Sequence, residues 1–234
     1  MFLLHQTADF TQAITLEEML LRNGHEVVEV LVGKSSTRTL PGFFNRSIHA
    51  PVKRFISPNF LPTADNKRAN LTKSFAYNLL RLPEYLRSMY YINQRIRETG
   101  AEVVINFYEL LTGLTYALFR PSVPYICVGH QYLFLHRDFE FPDKNSCQLW
   151  MLRFFTRMTA LRSSKKLALS FLEMEQDDMN QIVTVPPLIR QEVTAIRPEK
   201  GDYIHGYMVN SGFADSVESF HAKHPEVPLT FFWD

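Results

Sequence analysis

Three short segments of this chain place polar side chains directly after runs that read as buried strands. His5 opens the first, residues 5–10. Asn106, Tyr108 and Glu109 fall in the second, residues 106–109, and His130 and Gln131 in the third, residues 129–132. In an open parallel sheet, ligands sit beyond the carboxyl ends of the strands, in crevices between loops, so a site belongs on these three segments. Imidazole, phenol and carboxylate groups there can exchange protons or hydrogen-bond a polar ligand. Helix starts expected in the first two segments add backbone N–H groups that suit an anion. Each residue also has a plainer reading: a lone histidine as a structural one, and Glu109 as a first-turn acid that stabilises a helix dipole. Other constellations are weak. His130 and His136 lie six residues apart with Asp138 nearby, without the tight spacing of a metal site. Ser35, Ser36 and Ser47 lack a nucleophile-elbow pattern. Neither a metal nor a cofactor is expected.

The segments need elements to hold them. Residues 1–5 read as a short strand and 11–23 as a helix, with Ala13, Leu16 and Leu20 on one face and Glu17 and Glu18 on another. Gly24 suits the left-handed position that ends that helix. Residues 26–32, closed by Gly33, form a β-branched run expected to be covered on both faces. A third strand is expected at 52–56 despite Lys53 and Arg54, then a long loop over 57–70 containing Pro58 and Pro62. Helical periodicity runs over 71–98 with a break at Pro83. Then come a strand at 103–107, a helix at 110–119, a strand at 124–128, a loop at 131–145, a helix at 146–161 and a strand at 166–171. This alternation predicts an α/β fold, a Rossmann-like parallel sheet flanked by helices. A Pro-rich crossing at 185–190 leads into a second strand–helix–strand unit. The domain reading is 1–184 for the first domain, 185–202 for the crossing and 203–234 for the start of a second α/β domain. That second domain is expected to be incomplete, since a domain of ordinary size takes about 100–150 residues. Its last strand holds Phe231, Phe232 and Trp233, an apolar edge expected to pack on the first domain or on another chain.

Composition narrows the class. With 46% apolar and 21% charged residues, the chain reads as a soluble globular protein. Two cysteines, Cys127 and Cys147, cannot build a disulfide framework, and Cys127 sits in an apolar run as a buried thiol, which favours a reducing compartment. The start shows no signal-peptide pattern, and the apolar stretch at 103–119 is interrupted by Asn106 and Glu109. The expected location is cytoplasmic, at most peripheral to the inner face of the membrane. Residues 34–100 carry twelve Lys/Arg against three Asp/Glu, a net charge of +9 that leaves −8 elsewhere. With Phe43, Phe44, Phe55 and Phe60 interleaved, this stretch reads either as a solvated face or as a surface for an anionic membrane or a pyrophosphate-bearing, lipid-linked substrate. No nucleic-acid-binding motif accompanies it. The aromatics Tyr132, Phe134, Phe139 and Phe141 either pack together, cap a pocket or rest on a membrane interface.

Several runs carry a family resemblance: LEEMLLRNGHEVVEV at 16–30, VPYICVGHQ at 123–131, the Pro-rich crossing, and YIHGYMV at 203–209. Together they resemble the N-terminal, acceptor-side half of inverting glycosyltransferases of the GT-B fold, which have two facing Rossmann-like domains. The branch they look most like is the one related to the N-acetylglucosaminyltransferase of peptidoglycan lipid-intermediate synthesis. The resemblance implies transfer of a sugar from a nucleotide-sugar donor to a hydroxyl acceptor, without a required metal. The N-terminal domain would take the acceptor, lipid-linked in the branch named, and the C-terminal domain most of the donor. One departure is visible: relatives carry a Gly-rich loop ending in His, whereas residues 5–12 here contain no glycine and place Asp9 at that position. The resemblance makes Asp9 and Glu109 the catalytic candidates, with His5, Tyr108, His130 and Gln131 as substrate contacts. The chain alone is expected to be inactive. The rival expectation is a non-catalytic α/β binding or assembly module on a degenerate glycosyltransferase scaffold; a nucleotide-sugar epimerase would share the architecture. A homo-oligomer is a further expectation.

Overall fold

A computed structural model of the protein describes residues 1–5, 10–34, 39–59, 61, 63, 71–141, 147–208 and 211–233. Elements run β1 (Phe2–Leu4), α1 (Phe10–Arg22), β2 (Val30–Lys34), α2 (Gly42–Ser47), β3 (Val52–Ile56), α3 (Leu71–Leu80), α4 (Leu82–Glu98), β4 (Val104–Phe107), α5 (Leu110–Phe119) and β5 (Tyr125–Val128). A 3-10 turn (His130–Leu135), α6 (Cys147–Thr159), β6 (Lys165–Leu169), β7 (Ile182–Val185) and α7 (Gln191–Thr194) follow. The chain continues into β8 (Ile204–Met208), α8 (Ala214–Lys223) and β9 (Leu229–Trp233). Contacts divide it into two units, Met1–Pro58 with Leu82–Thr194, and Asn59–Arg81 with Ala195–Asp234.

The first unit is built on a seven-stranded sheet in the order β3-β2-β1-β4-β5-β6-β7, every pair parallel. Alternation along β1 shows why both faces are covered. Phe2 and Leu4 join one core cluster with Phe10, Ala13 and Ile14 of α1 and Phe44 of α2. Leu3 points into the other, with Met89, Ile92 and Ile96 of α4 and Leu111 of α5. Two-sided burial of this kind is what an all-parallel sheet requires. The order reverses between β1 and β4, the topological switch point of the sheet.

Most expected elements are present, including the break between α3 and α4, at Arg81 two residues before Pro83, and the buried Cys127. Gly24 takes a left-handed φ of 78° at the end of α1. The differences have local causes. The second strand begins at Val30 rather than residue 26 because β1 offers it only three pairing positions, Phe2 to Leu4. The expected loop at 131–145 contains the 3-10 turn, and α2 and β7 were not anticipated at all. Glu17, placed by periodicity on a polar face, is buried. Its carboxylate accepts the His49 and Ala50 backbone N–H groups at 2.8 Å each, fastening the connection that leads into β3.

In the second unit β8 and β9 pair in parallel, joined through α8. Ile204, Met208, Phe213, Val217, Phe220 and Phe231 line a cavity of about 300 Å³ there, while Tyr207 and Phe232 are exposed.

Candidate functional site

At the carboxyl edge of β4 the chain makes a tight elbow into α5. Tyr108 adopts φ 56°, a left-handed conformation that bulky residues rarely take. Asn106 braces it: its Oδ1 accepts the Glu109 N–H at 2.9 Å, and its Nδ2 donates to the Glu109 carbonyl at 3.2 Å and to that of Thr159 at 2.9 Å. The elbow turns the Glu109 carboxylate back over the sheet, where it is fully buried and caps α5 by accepting the Leu111 N–H at 3.0 Å. A cap of this type contributes about 1 kcal/mol, and the helix N-terminus favours its negative charge.

Two further partners come from strands distant in sequence. Ser57, just beyond β3, donates its hydroxyl to Glu109 Oε1 at 2.7 Å. His5, just beyond β1, places Nδ1 2.8 Å from Oε2. A carboxylate accepts, so in this contact Nδ1 donates its proton to Oε2. The His5 side chain is 31% exposed, whereas that of Glu109 is 0% exposed. Gly33 in β2 makes room for this cluster: a Cβ there would lie 2.9 Å from Ser57 Cβ and 3.0 Å from the Glu109 carboxyl carbon. Four strands thus converge on one buried carboxylate with one accessible imidazole. Ser57 and Gly33 escaped sequence reasoning, although a glycine inside a strand pattern is itself a sign of close approach.

The remaining expected residues sit as follows. Asp9 lies outside the described residues. Tyr108 is half-buried between the rings of Tyr132 and Phe155, at centroid distances of 5.6 and 5.7 Å, and its hydroxyl lies 2.7 Å from Thr156 Oγ1. Desolvation raises its pKa above the ordinary phenol value. His130 and Gln131 begin the 3-10 turn after β5, on the same carboxyl edge, behind Gly129 at φ 156°, a region open to glycine alone. His130 is exposed, yet the surrounding protein desolvates its ring enough to lower its pKa. Gln131 has its Oε1 buried without a hydrogen-bond partner among the described residues. Contacts therefore unite His5 with Glu109 and tie Tyr108 to α6. Among the described residues no hydrogen bond, ion pair or ring contact joins His130 or Gln131 to Glu109.

His136 is a structural histidine. It is buried, with Nε2 2.8 Å from the Glu175 carbonyl and Nδ1 accepting the Asp138 N–H at 3.2 Å. Phe134, Phe139 and Phe141 pack on one another at centroid distances of 4.8 to 5.9 Å. Among the described residues no group of three or more His, Cys, Asp or Glu is placed to hold a metal ion.

The sequence profile of a family described as "Glycosyl transferase family 1" matches residues 11–228. No curated protein matches significantly. Among solved structures, the chain is similar to UGT89C1 of Arabidopsis thaliana complexed with quercetin (15% identity, TM-score 0.58, covering 99% of this chain and 64% of that one). It is also similar to UGT2 of Phytolacca americana complexed with UDP-2fluoro-glucose and pterostilbene (11%, 0.57, 100% and 71%). MurG of Acinetobacter baumannii matches at 10% identity and TM-score 0.49, covering 100% of this chain and 59% of that one. At these identities the likeness is one of fold, an α/β sheet arrangement of the GT-B type. The chain spans less than two thirds of the length of UGT89C1 and of MurG.

Proposed function

From the premise that this chain belongs to glycosyl transferase family 1, we propose that its seven-stranded unit holds the hydroxyl acceptor of a glycosyl transfer and that His5 takes the acceptor's proton. The observation that carries this reading is the 2.8 Å contact between His5 Nδ1 and the buried Glu109 carboxylate, at the sheet's topological switch point.

The chemistry follows from the tautomer. In this reading Glu109 accepts from Nδ1–H and the acceptor hydroxyl meets Nε2 of the partly exposed ring. An acceptor hydroxyl hydrogen-bonded to Nε2 loses its proton as its oxygen attacks the anomeric carbon of a nucleotide sugar. The bond to the leaving diphosphate breaks on the opposite face, which inverts the anomeric centre. The imidazolium that forms lies against a buried carboxylate, whose charge stabilises it as it develops. In this reading Glu109 is a positioning residue. Its Oε1 is occupied by Ser57 and Leu111, its Oε2 by His5, and none of its surface is open to substrate. Asp9 is the competing base, through its place in the family pattern. Tyr108 fixes the elbow from α6, and His130 and Gln131 serve the acceptor from the β5 loop. The donor is a nucleotide sugar held mainly by a second α/β body, and a lipid-linked alcohol is one acceptor that fits.

A second reading, a binding module on a degenerate scaffold, draws support from the absence of glycine in residues 5–12. Turnover of nucleotide sugars by the full-length gene product, compared among wild type, His5→Ala and Asp9→Asn, separates them. Loss confined to His5→Ala supports the proposal. Loss confined to Asp9→Asn transfers the base role to Asp9, and no turnover in wild type with any nucleotide sugar favours the binding module.

A further inference from the structure

Helix α4 buries Tyr85, Met89 and Ile92 in the core, as an amphipathic helix beside a sheet should. Next to that stripe runs a polar one. Glu84, Arg87, Ser88 and Tyr91 stand at positions i, i+3, i+4 and i+7, on one face of the helix. With Arg54, Phe55 and Ile56 of the edge strand β3 they line a cavity of about 280 Å³. Two of the polar groups are left over by the fold. Ser88 is only 6% exposed, yet its hydroxyl has no hydrogen-bond partner among the described residues. A helical hydroxyl commonly bonds back to the carbonyl four residues earlier, as Thr15, Thr99, Thr115 and Thr156 do here at 2.6 to 2.9 Å. Arg87 also makes no ion pair or hydrogen bond among the described residues. Glu84 precedes it by three residues, the spacing at which opposite charges on a helix ordinarily meet, and the two are not paired.

The chemistry of the lining selects the ligand. A nearly buried hydroxyl without a partner is costly, and a ligand that bonds to it removes the cost. The guanidinium groups of Arg54 and Arg87 are planar forks of N–H donors that match a carboxylate or a phosphate. Tyr91, the buried Phe55 and Ile56 add apolar surface. At this volume, near the lower limit for ligand pockets, the body that fits is compact, about one ring. Glu84 in the lining opposes a second negative group. We infer that the pocket between β3 and α4 binds a small organic anion, its carboxylate or phosphate head held by Arg87 and Ser88 and its apolar body against Tyr91 and Phe55. Ile56 lines this pocket and the next residue, Ser57, donates to Glu109, yet the pocket shares no residue with the His5–Glu109 cluster. The inference therefore stands independently of the transfer chemistry.

Calorimetric titration of the full chain with phenyl phosphate and with benzoate tests it, with phenol as the neutral control. At least one of the two anions should bind saturably, with a Kd of about 1 mM or below, and phenol should bind about tenfold more weakly or less. Tighter binding of phenyl phosphate identifies the head as a phosphate monoester, and tighter binding of benzoate identifies it as a carboxylate. Arg87→Gln should weaken binding about tenfold or more, and Ser88→Ala about threefold to tenfold. Arg97→Gln, which removes an exposed arginine of α4 outside the pocket, should leave binding within about twofold. Circular dichroism confirms that each variant is folded. Amide NMR of the wild type gives a reading that needs no variant: shifts on titration should centre on Phe55, Ile56, Ser88 and Tyr91. No saturable binding of either anion up to about 10 mM overturns the inference. Binding that Arg87→Gln leaves unchanged also overturns it, as do shifts centred on His5 and Glu109, which would place the anion at the other site.

Discussion

Two carboxylates are buried at opposite ends of one sheet, and their company differs. Glu29, just before β2, lies at the amino edge. It receives Arg95 Nε and Nη2 at 2.8 Å each, and Lys53 Nζ stands 2.9 Å away. Glu109, at the carboxyl edge, receives a hydroxyl, a backbone amide and an imidazole. Burial by itself would raise the Glu29 pKa. The hydrogen bonds and charges of Arg95 and Lys53 outweigh it and hold the carboxyl below its ordinary value. Arginine and lysine keep their protons throughout the physiological range, so the amino-edge cluster is a fixed clamp between β2, β3 and α4. Histidine exchanges its proton near neutrality. The lesson is that depth of burial does not mark a functional carboxylate. What separates the two is the partner: an imidazole, which can give and take a proton, at Glu109, and a guanidinium and an ammonium at Glu29.

The largest test of this contrast is His5→Ala. Turnover by the full-length gene product should fall by about 10²- to 10⁴-fold, while urea unfolding should move by about 1–3 kcal/mol as the buried Glu109 Oε2 loses a hydrogen-bond partner. Equal turnover in the variant would reduce the carboxyl edge to the same structural status as the amino edge. Glu29→Ala should do the reverse. It removes the counter-charge that Arg95 and Lys53 share, leaving Arg95 its contact with Glu98 at 2.6 Å, and should cost about 3 kcal/mol in urea unfolding, toward the low end for a buried pair because Lys53 is partly exposed. Activity per folded molecule should not change. Glu109→Gln keeps an acceptor for Nδ1–H but loses the charge, so a decline of about tenfold to a hundredfold in turnover is expected, smaller than at His5.

Gly33→Ala probes the same cluster sterically. A methyl group pushed against Ser57 and the Glu109 carboxyl should destabilise the fold by about 1–3 kcal/mol, read by urea unfolding, and should lower activity as well. The smallest expected effect is on pH dependence. With its folded pKa depressed, Glu29 contributes stability that is fully present above the unfolded carboxylate pKa. That contribution is lost as pH falls through the lower folded value. Acid unfolding curves should therefore lose part of their low-pH slope in Glu29→Gln, and an unchanged slope would dissolve the contrast from the amino-edge side.

What could be read beforehand follows from the range of the signal. The β1, α1, β3 and α5 spans are written in short-range periodicity, and so is the break before Pro83. Strand β7 is a four-residue run defined by its pairing with β6, Lys166 to Leu169 against Ile182 to Val185; nothing within the run separates it from the Pro-rich crossing it adjoins. Glu109 could be singled out because it follows a buried strand. Its partners could not, since Ser57 is 52 residues away and His5 104, and only the sheet order brings them together. Glu17 misled for the mirror-image reason. Its partners are backbone N–H groups of a turn some thirty residues on, which no helical wheel records.

The central claim, that Glu109 fixes His5 with Nε2 as the basic nitrogen, can be measured without knowing any substrate. Heteronuclear NMR of the histidine ring nitrogens in the wild-type chain at neutral pH should show His5 with its proton on Nδ1 and a bare Nε2, and Glu109→Ala should mix the two tautomers. A His5 ring protonated on Nε2 and bare at Nδ1, indifferent to Glu109→Ala, would contradict the account.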